Sequence, residues 1–234
     1  MTNVPTPIEA SEASEQPLAV EIWSDVACPF CYIGKREFEN ALERFPHKDR
    51  VRVTWKSFEL DPKAPSRSDM NTYQMLAHKY GMSIEQARDR VRGVVERAAS
   101  LGLSYDMDAT VIANSFDAHR LIQLAKTHGL GDAAEERLFK AYFIEGANIA
   151  DAGTLVRLGT DIGLAEAEVR TLLAGMDLTD AVRLDEREAR QLGISGVPFF
   201  VLDRRYAVSG AQHADHFLGA LQQAWQERLP VGTP

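Results

Sequence analysis

Ser24-Asp25-Val26-Ala27-Cys28-Pro29-Phe30-Cys31-Tyr32-Ile33-Gly34-Lys35 holds both cysteines of the chain, three positions apart. It stands at a junction. Leu18 to Trp23 (LAVEIW) is short and apolar, which predicts a buried strand. Beyond it, Phe38, Ala41, Leu42 and Phe45 recur at helical spacing until Pro46 ends the run. Pro29 fits the first helical position, where its missing N–H costs nothing. Cys28 then falls at the N-cap, facing free backbone N–H groups and the positive end of the helix dipole. That field favours a thiolate, so Cys28 is expected to be an exposed nucleophile. Cys31 lies one turn further on the same face. Side chains at that spacing have Cβ atoms about 5–6 Å apart, close to the span of a disulfide. The pair reads as a redox-active dithiol, with Cys31 placed to resolve a mixed disulfide. Structural thiols and half of a metal site remain open as alternatives. Zinc needs about four ligands, and the sequence offers no second Cys pair.

Composition narrows the class. Of 234 residues, 45% are hydrophobic and 26% charged, enough for one large globular domain or a domain with a sizeable insertion. A net charge of −8 argues against a nucleic-acid partner and against an anionic membrane surface. No apolar run reaches the roughly 20 residues of a membrane span. The first 17 residues, MTNVPTPIEASEASEQP, lack the basic and apolar regions of a secretory signal and read as a disordered tail. Cytoplasmic localisation is expected by default. In a reducing compartment a lone Cys-x-x-Cys points to catalysis rather than to structural bridging.

Val51 to Leu60 (VRVTWKSFEL) reads as a second strand. Its apolar phase changes between Trp55 and Phe58, which predicts a bulge or a strand covered on both sides. Strand, helix, strand makes a βαβ unit with parallel strands. Lys63 to Asp69 is a linker. Six helical patterns follow, with glycine stops at Gly81, Gly102, Gly129 and Gly146. Within them, Asn114-Ser115-x-x-Ala118-His119 offers one polar cluster. His119 is a candidate proton relay for the thiols, or else a partly buried histidine bonded to a backbone carbonyl. Glu145, Asn148 and Asp151 read as capping or solvated residues. The helix Leu178 to Leu192 carries Asp185, Glu186, Arg187, Glu188 and Arg190, expected to form a solvated face. After Gly193 the apolar run following Pro198 is a strand, with Pro tolerated at its start. Tyr206-Ala207-Val208 pairs with it as a hairpin. A final amphipathic helix carries Phe217, Leu218, Leu221 and Trp225.

The order strand, Cys-x-x-Cys, helix, strand, then Gly-Val-Pro, strand, strand, helix is similar to a thioredoxin-like α/β fold with a large all-helical insertion. The stretches SDVACPFCYIGK, NSFDAHRL, LFKAYFIEGANIAD and GISGVPFFVLDRRYAVSGAQ together resemble the DsbA family of thiol–disulfide oxidoreductases. They resemble most its cytoplasmic FrnE-like branch, which lies near hydroxychromene-carboxylate isomerase and kappa-class glutathione transferase. The resemblance spans about residues 18–228. It implies a discontinuous thioredoxin-like domain of residues 18–62 and 177–229, a helical insertion of residues 63–176 and a tail of residues 1–17.

That resemblance implies that Cys28 attacks and Cys31 resolves. It implies a cis Val197–Pro198 bond beside the disulfide, with the Val197 backbone free to pair with an extended substrate. Pro29, Phe30, Val197, Pro198 and Gln212 are the implied substrate contacts, Gln212 where glutathione-using relatives hold the γ-glutamyl end. DsbA has His between its cysteines where this chain has Phe30. Phe stabilises a thiolate less, so a weaker oxidant is implied. Some FrnE-like proteins carry a second cysteine pair, which this chain lacks.

The expected function is thiol–disulfide exchange on a disulfide- or thiol-containing protein or small molecule. No cofactor or metal is expected beyond the dithiol itself, with glutathione as a candidate co-substrate. The expected state is a monomer or a globular homodimer. Two other functions compete. A glutathione-dependent isomerase or transferase is disfavoured, because those relatives generally place Ser where Cys28 stands. A non-catalytic partner-binding protein would leave the thiols incidental.

Overall fold

The computed structural model describes residues 16–228. Residues 1–15, most of the expected N-terminal tail, lie outside the described residues, as do residues 229–234. Leu18–Ser24 forms β1 and pairs in parallel with β2, Val51–Ser57, from Leu18 opposite Val51 to Ser24 opposite Ser57. Between them runs α1, Pro29–Glu43. The sheet is completed by β3, Phe199–Leu202, and β4, Tyr206–Ser209, in the order β2-β1-β3-β4. β1 is antiparallel to β3, with Ile22 opposite Phe200, and β3 is antiparallel to β4. β1 is therefore internal, and Leu18, Val20, Ile22 and Trp23 are fully buried, as a strand covered on both faces requires.

Seven helices lie between β2 and β3 in the chain, and the first six form a block. They are α2 (Thr72–Tyr80), α3 (Ile84–Ser100), α4 (Phe116–Thr127), α5 (Gly131–Phe143), α6 (Ala152–Asp161) and α7 (Glu166–Ala174). Reciprocal capping boxes start α2 (Asn71 with Gln74) and α3 (Ser83 with Gln86). Asp151 caps α6 through the Thr154 N–H, and Glu145 pairs with Arg137, so these residues do the structural work expected of them. After the block come α8, Thr179–Gln191, and the C-terminal α9, Ala214–Gln226.

The sheet is covered on both faces. On one, Phe38 of α1, Phe200 of β3 and Phe217 of α9 meet with ring centroids 4.5–5.8 Å apart. On the other, Trp23 and Val201 pack with Ala189 of α8 and with Ile194. The helical block is joined to α1 by stacked aromatic rings. Tyr32 stacks on Phe139 at 4.9 Å and Tyr105 on Phe143 at 4.8 Å. Each such pair adds about 0.5–1.5 kcal/mol beyond its buried area. The stack therefore couples the cysteine-bearing helix directly to α5.

Two expectations are corrected. The second strand ends at Ser57 rather than Leu60. Its next residues leave the ladder and turn over the end of β1: the Phe58 N–H donates to the Ser24 carbonyl and the Leu60 N–H to the Asp25 carboxylate. The charge run of α8 is a solvated face only in part: Arg187 and Arg190 are exposed, but the two acidic residues before them are not. Asp185 and Glu186 are buried. Asp185 accepts from the Ser57 N–H, the Gln123 amide and the Lys56 ammonium, and its carbonyl accepts from the Trp23 indole. A buried carboxylate with this many donors is satisfied, which a charge run read on its own does not reveal.

Candidate active site

Cys28 is the N-cap of α1 (φ −96°, ψ 113°), with Pro29 next and no acidic residue in the first turn. The first-turn amides are therefore free of side-chain caps, as the dipole argument requires. Both cysteines are reduced. The Cys31 N–H donates to the Cys28 carbonyl at 3.0 Å, closing the turn that brings the two cysteines near each other. Cys28 Sγ lies 3.5 Å from the carbonyl oxygen of Val197, and the Val197–Pro198 bond is cis.

Cys28 was expected to be exposed, and the structure corrects this: it is 4% exposed, while Phe30 beside it is 40% exposed. The Val197 carbonyl overlies the sulfur, and Tyr105 anchors the neighbouring turn by donating its hydroxyl to the Pro29 carbonyl at 2.8 Å. Cys31 is more deeply buried. Burial and the adjacent Cys28 push its thiol well above the ordinary range, against the Asp25 N–H and the Ser24 hydroxyl.

Behind the cysteines is a buried group of charges. Asp25 accepts from the Ala27 N–H at 3.1 Å and the Leu60 N–H at 2.7 Å. His119 Nε2 stands 3.5 Å from Asp25 Oδ1, and neither ring nitrogen has a hydrogen-bond partner at normal distance. His119 is thus not the carbonyl-bonded histidine of the alternative reading. Burial works against both charges, yet each holds the other: Asp25 lies below its ordinary range and His119 above its own. Glu135 of α5 is buried with Oε2 unpartnered, and burial raises its carboxyl to about 7 despite His119 and Lys35.

The cis-proline loop is pinned from two sides. The Gly210 N–H donates to the Pro198 carbonyl, and Gly34 of α1 faces the Pro198 ring so closely that a Cβ there would sit 2.9 Å from Pro198 Cγ. Cys28, Pro29, Phe30, Cys31, Val197 and Pro198 are therefore brought together. Gln212 is exposed one loop away, its amide donating to the Ser209 carbonyl at 2.8 Å. Gly34 and Glu135 escaped the sequence reading. A glycine inside a helical pattern is a signal for close approach that could have found the first. Nothing in the sequence marks Glu135 as buried. Among the described residues there is no group of three or more His, Cys, Asp or Glu side chains that could hold a metal ion. No helix among them is long and apolar enough to cross a membrane.

A four-stranded sheet whose first strand hands over to a helix at a Cys-x-x-Cys, and whose hairpin is entered through a cis-proline, defines a thioredoxin-type dithiol protein. The comparison with known families goes further. The DSBA-like thioredoxin domain matches residues 19–222, and the chain belongs to that family. Its structure is similar to a probable DsbA oxidoreductase from Streptomyces coelicolor (TM-score 0.87, 46% identity, 93% of this chain and 94% of that one). A cytosolic disulfide reductase, DsbM, from Pseudomonas aeruginosa shares the fold (TM-score 0.63, 20% identity, 90% and 100% covered). In sequence the chain is similar to the uncharacterized protein YwbO of Bacillus subtilis, 27% identical over 210 residues, 89% of this chain and 98% of that protein. The family places the chain in the thiol–disulfide oxidoreductase class.

Proposed function

We propose that the protein exchanges disulfides through Cys28 and Cys31, as a member of the FrnE-like branch acting in the cytoplasm as a monomer or globular homodimer. The observation that carries this reading is the placement of two reduced, neighbouring thiols at a helix N-terminus with the outer one against the Val197 carbonyl. Cys28 attacks a substrate disulfide as a thiolate. One substrate sulfur leaves as a thiol, and a mixed disulfide forms at Cys28. Cys31 gives up its proton and attacks Cys28 Sγ. The second substrate sulfur departs, the Cys28–Cys31 disulfide forms, and the pair has delivered two electrons. Thiols such as glutathione restore the dithiol, a role supported by a fold relative solved with GSH. Run backwards, the same steps oxidise a substrate.

Pro29, Phe30, Val197 and Pro198 frame the substrate, with the Val197 backbone pairing with it as an added strand. Gln212 reaches a substrate's polar end from the β4–α9 loop. His119, whose charged form Asp25 favours against burial, serves as the relay for the proton that Cys31 gains or loses, with Glu135 as the group that titrates near neutrality. The thioredoxin-like part is residues 18–62 and 177–229, and residues 63–176 form the inserted block.

Reduction of insulin disulfides by the full chain, with a thiol donor, tests the reading. Cys28→Ser is expected to fall to background. Cys31→Ser is expected to accumulate a mixed disulfide at Cys28 that mass spectrometry detects. Full activity in Cys28→Ser refutes the proposal. His119→Asn is expected to slow resolution and to change the pH profile of that step; an unchanged profile removes His119 from the mechanism.

A further inference from the structure

A cavity of about 450 Å3 opens between the cysteine turn and the helical block. Its size falls within the range of small-molecule sites. Ala27 and Pro29, the residues on either side of Cys28, both form part of its wall, together with Phe30. The remainder comes from the helical block and is almost wholly apolar, including Leu76, Met82, Val91, Val94, Met107 and Phe143. Phe30 and Tyr80 are lining residues that also present large exposed apolar surface. Water gains little from such a space, and burying a ligand's apolar surface there is favourable. Three of the lining residues, Met75, Met82 and Met107, are methionines, whose flexible side chains adapt to irregular apolar shapes.

One charge breaks the apolar lining. Arg90 is the only charged residue among those that line the cavity, it is exposed, and no hydrogen bond or ion pair holds it among the described residues. The other arginines of α3 differ. Arg92 pairs with Asp89, Arg97 bonds the Ala211 carbonyl, and Arg88 lies over the Tyr73 ring. An unpaired guanidinium beside an apolar space suits a ligand that places an anionic group there and its hydrocarbon body inside.

We infer that this cavity binds a small molecule with an apolar, aromatic or acyl body and one anionic group, and delivers its sulfur end to Cys28. The inference deepens the oxidoreductase reading by naming a substrate class, and its reactive end rests on that reading. Binding itself does not depend on redox chemistry, so the two can fail separately. A protein substrate would instead use the Val197 backbone, which does not line this cavity.

The test uses a matched pair of fluorescent probes on the full chain: 1-anilinonaphthalene-8-sulfonate, which is anionic, and N-phenyl-1-naphthylamine, its neutral counterpart. Val94→Trp, which fills the cavity, is expected to weaken both by about tenfold or more. Arg90→Gln is expected to weaken the sulfonate by about fivefold and to leave the neutral probe unchanged. Arg92→Gln, outside the cavity, controls for net charge and is expected to change neither. Thermal melts confirm folding, and Arg90→Gln keeps the test decisive if Val94→Trp does not fold. Unchanged binding of both probes to a folded Val94→Trp overturns the site, and equal weakening of both probes by Arg90→Gln overturns the anionic assignment. Probe binding that rises when residues 1–15 are deleted would give the cavity to that segment and overturn the small-molecule assignment. If insulin reduction fails while probe binding behaves as expected, the redox reading falls and the cavity assignment stands.

Discussion

Glu135→Gln is expected to stabilise the protein at pH 8 relative to its effect at pH 5. The carboxyl is buried on α5 with one oxygen unpartnered, and burial moves it from an ordinary 4.5 to about 7. Between those values the folded chain keeps a proton that the unfolded chain has lost. The stability this contributes is complete below about pH 4.5 and is lost as pH rises through about 7. At about 1.4 kcal/mol per tenfold, the displacement corresponds to about 3 kcal/mol. Glutamine has the shape of the neutral acid and cannot ionise, so the variant lacks this loss. Any penalty for an unpartnered amide is common to both pH values and cancels in the difference. His119 is also raised and has the same sign, so some decline with pH persists in the variant. Thermal unfolding of both proteins at pH 5 and pH 8 measures the difference. About 2.5 kcal/mol of the Glu135 contribution is lost between pH 5 and pH 8, and at about 2–4 °C in Tm per kcal/mol for a chain of this size the relative gain at pH 8 is about 5–10 °C. Equal differences at both pH values would refute the burial argument.

Asp185→Ala should cost about 3 kcal/mol or more, because the Ser57 N–H, Gln123 and Lys56 lose a buried acceptor; denaturant titration reads it, and a neutral result would return α8 to a solvated face. Gly34→Ala should destabilise by about 1–2 kcal/mol despite the helix-propensity gain, since its Cβ would meet Pro198 Cγ at 2.9 Å; a higher Tm would contradict that contact. Tyr105→Phe should lose about 1 kcal/mol, the value of its hydrogen bond to the Pro29 carbonyl, and an unchanged Tm would show the bond to be dispensable.

The sheet and helices were legible because their signals are local. Period-2 and period-3.6 patterns and glycine stops reveal β1 and each α-helix, with α2, α3 and α8 placed to within a residue or two, and Pro29 after Cys28 marks the start of α1. The failures share a cause. Asp185 reads as surface because its donors lie on β2 and α4. Cys28 reads as exposed because its cover, Val197, lies 169 positions along the chain. Glu135 looks like any acidic residue on an amphipathic helix until α5 packs behind Asp25 and His119. Charge burial is decided by long-range packing, which residue type and spacing do not encode.

The 169-residue separation between Cys28 and Val197 also orders events on the ribosome. At roughly 5–20 residues per second, on the order of 10–30 s pass between synthesis of the two cysteines and synthesis of the loop that overlies them. The dithiol is made first and enclosed last, so the nascent chain is at its most vulnerable to stray oxidants before its own C-terminal third exists.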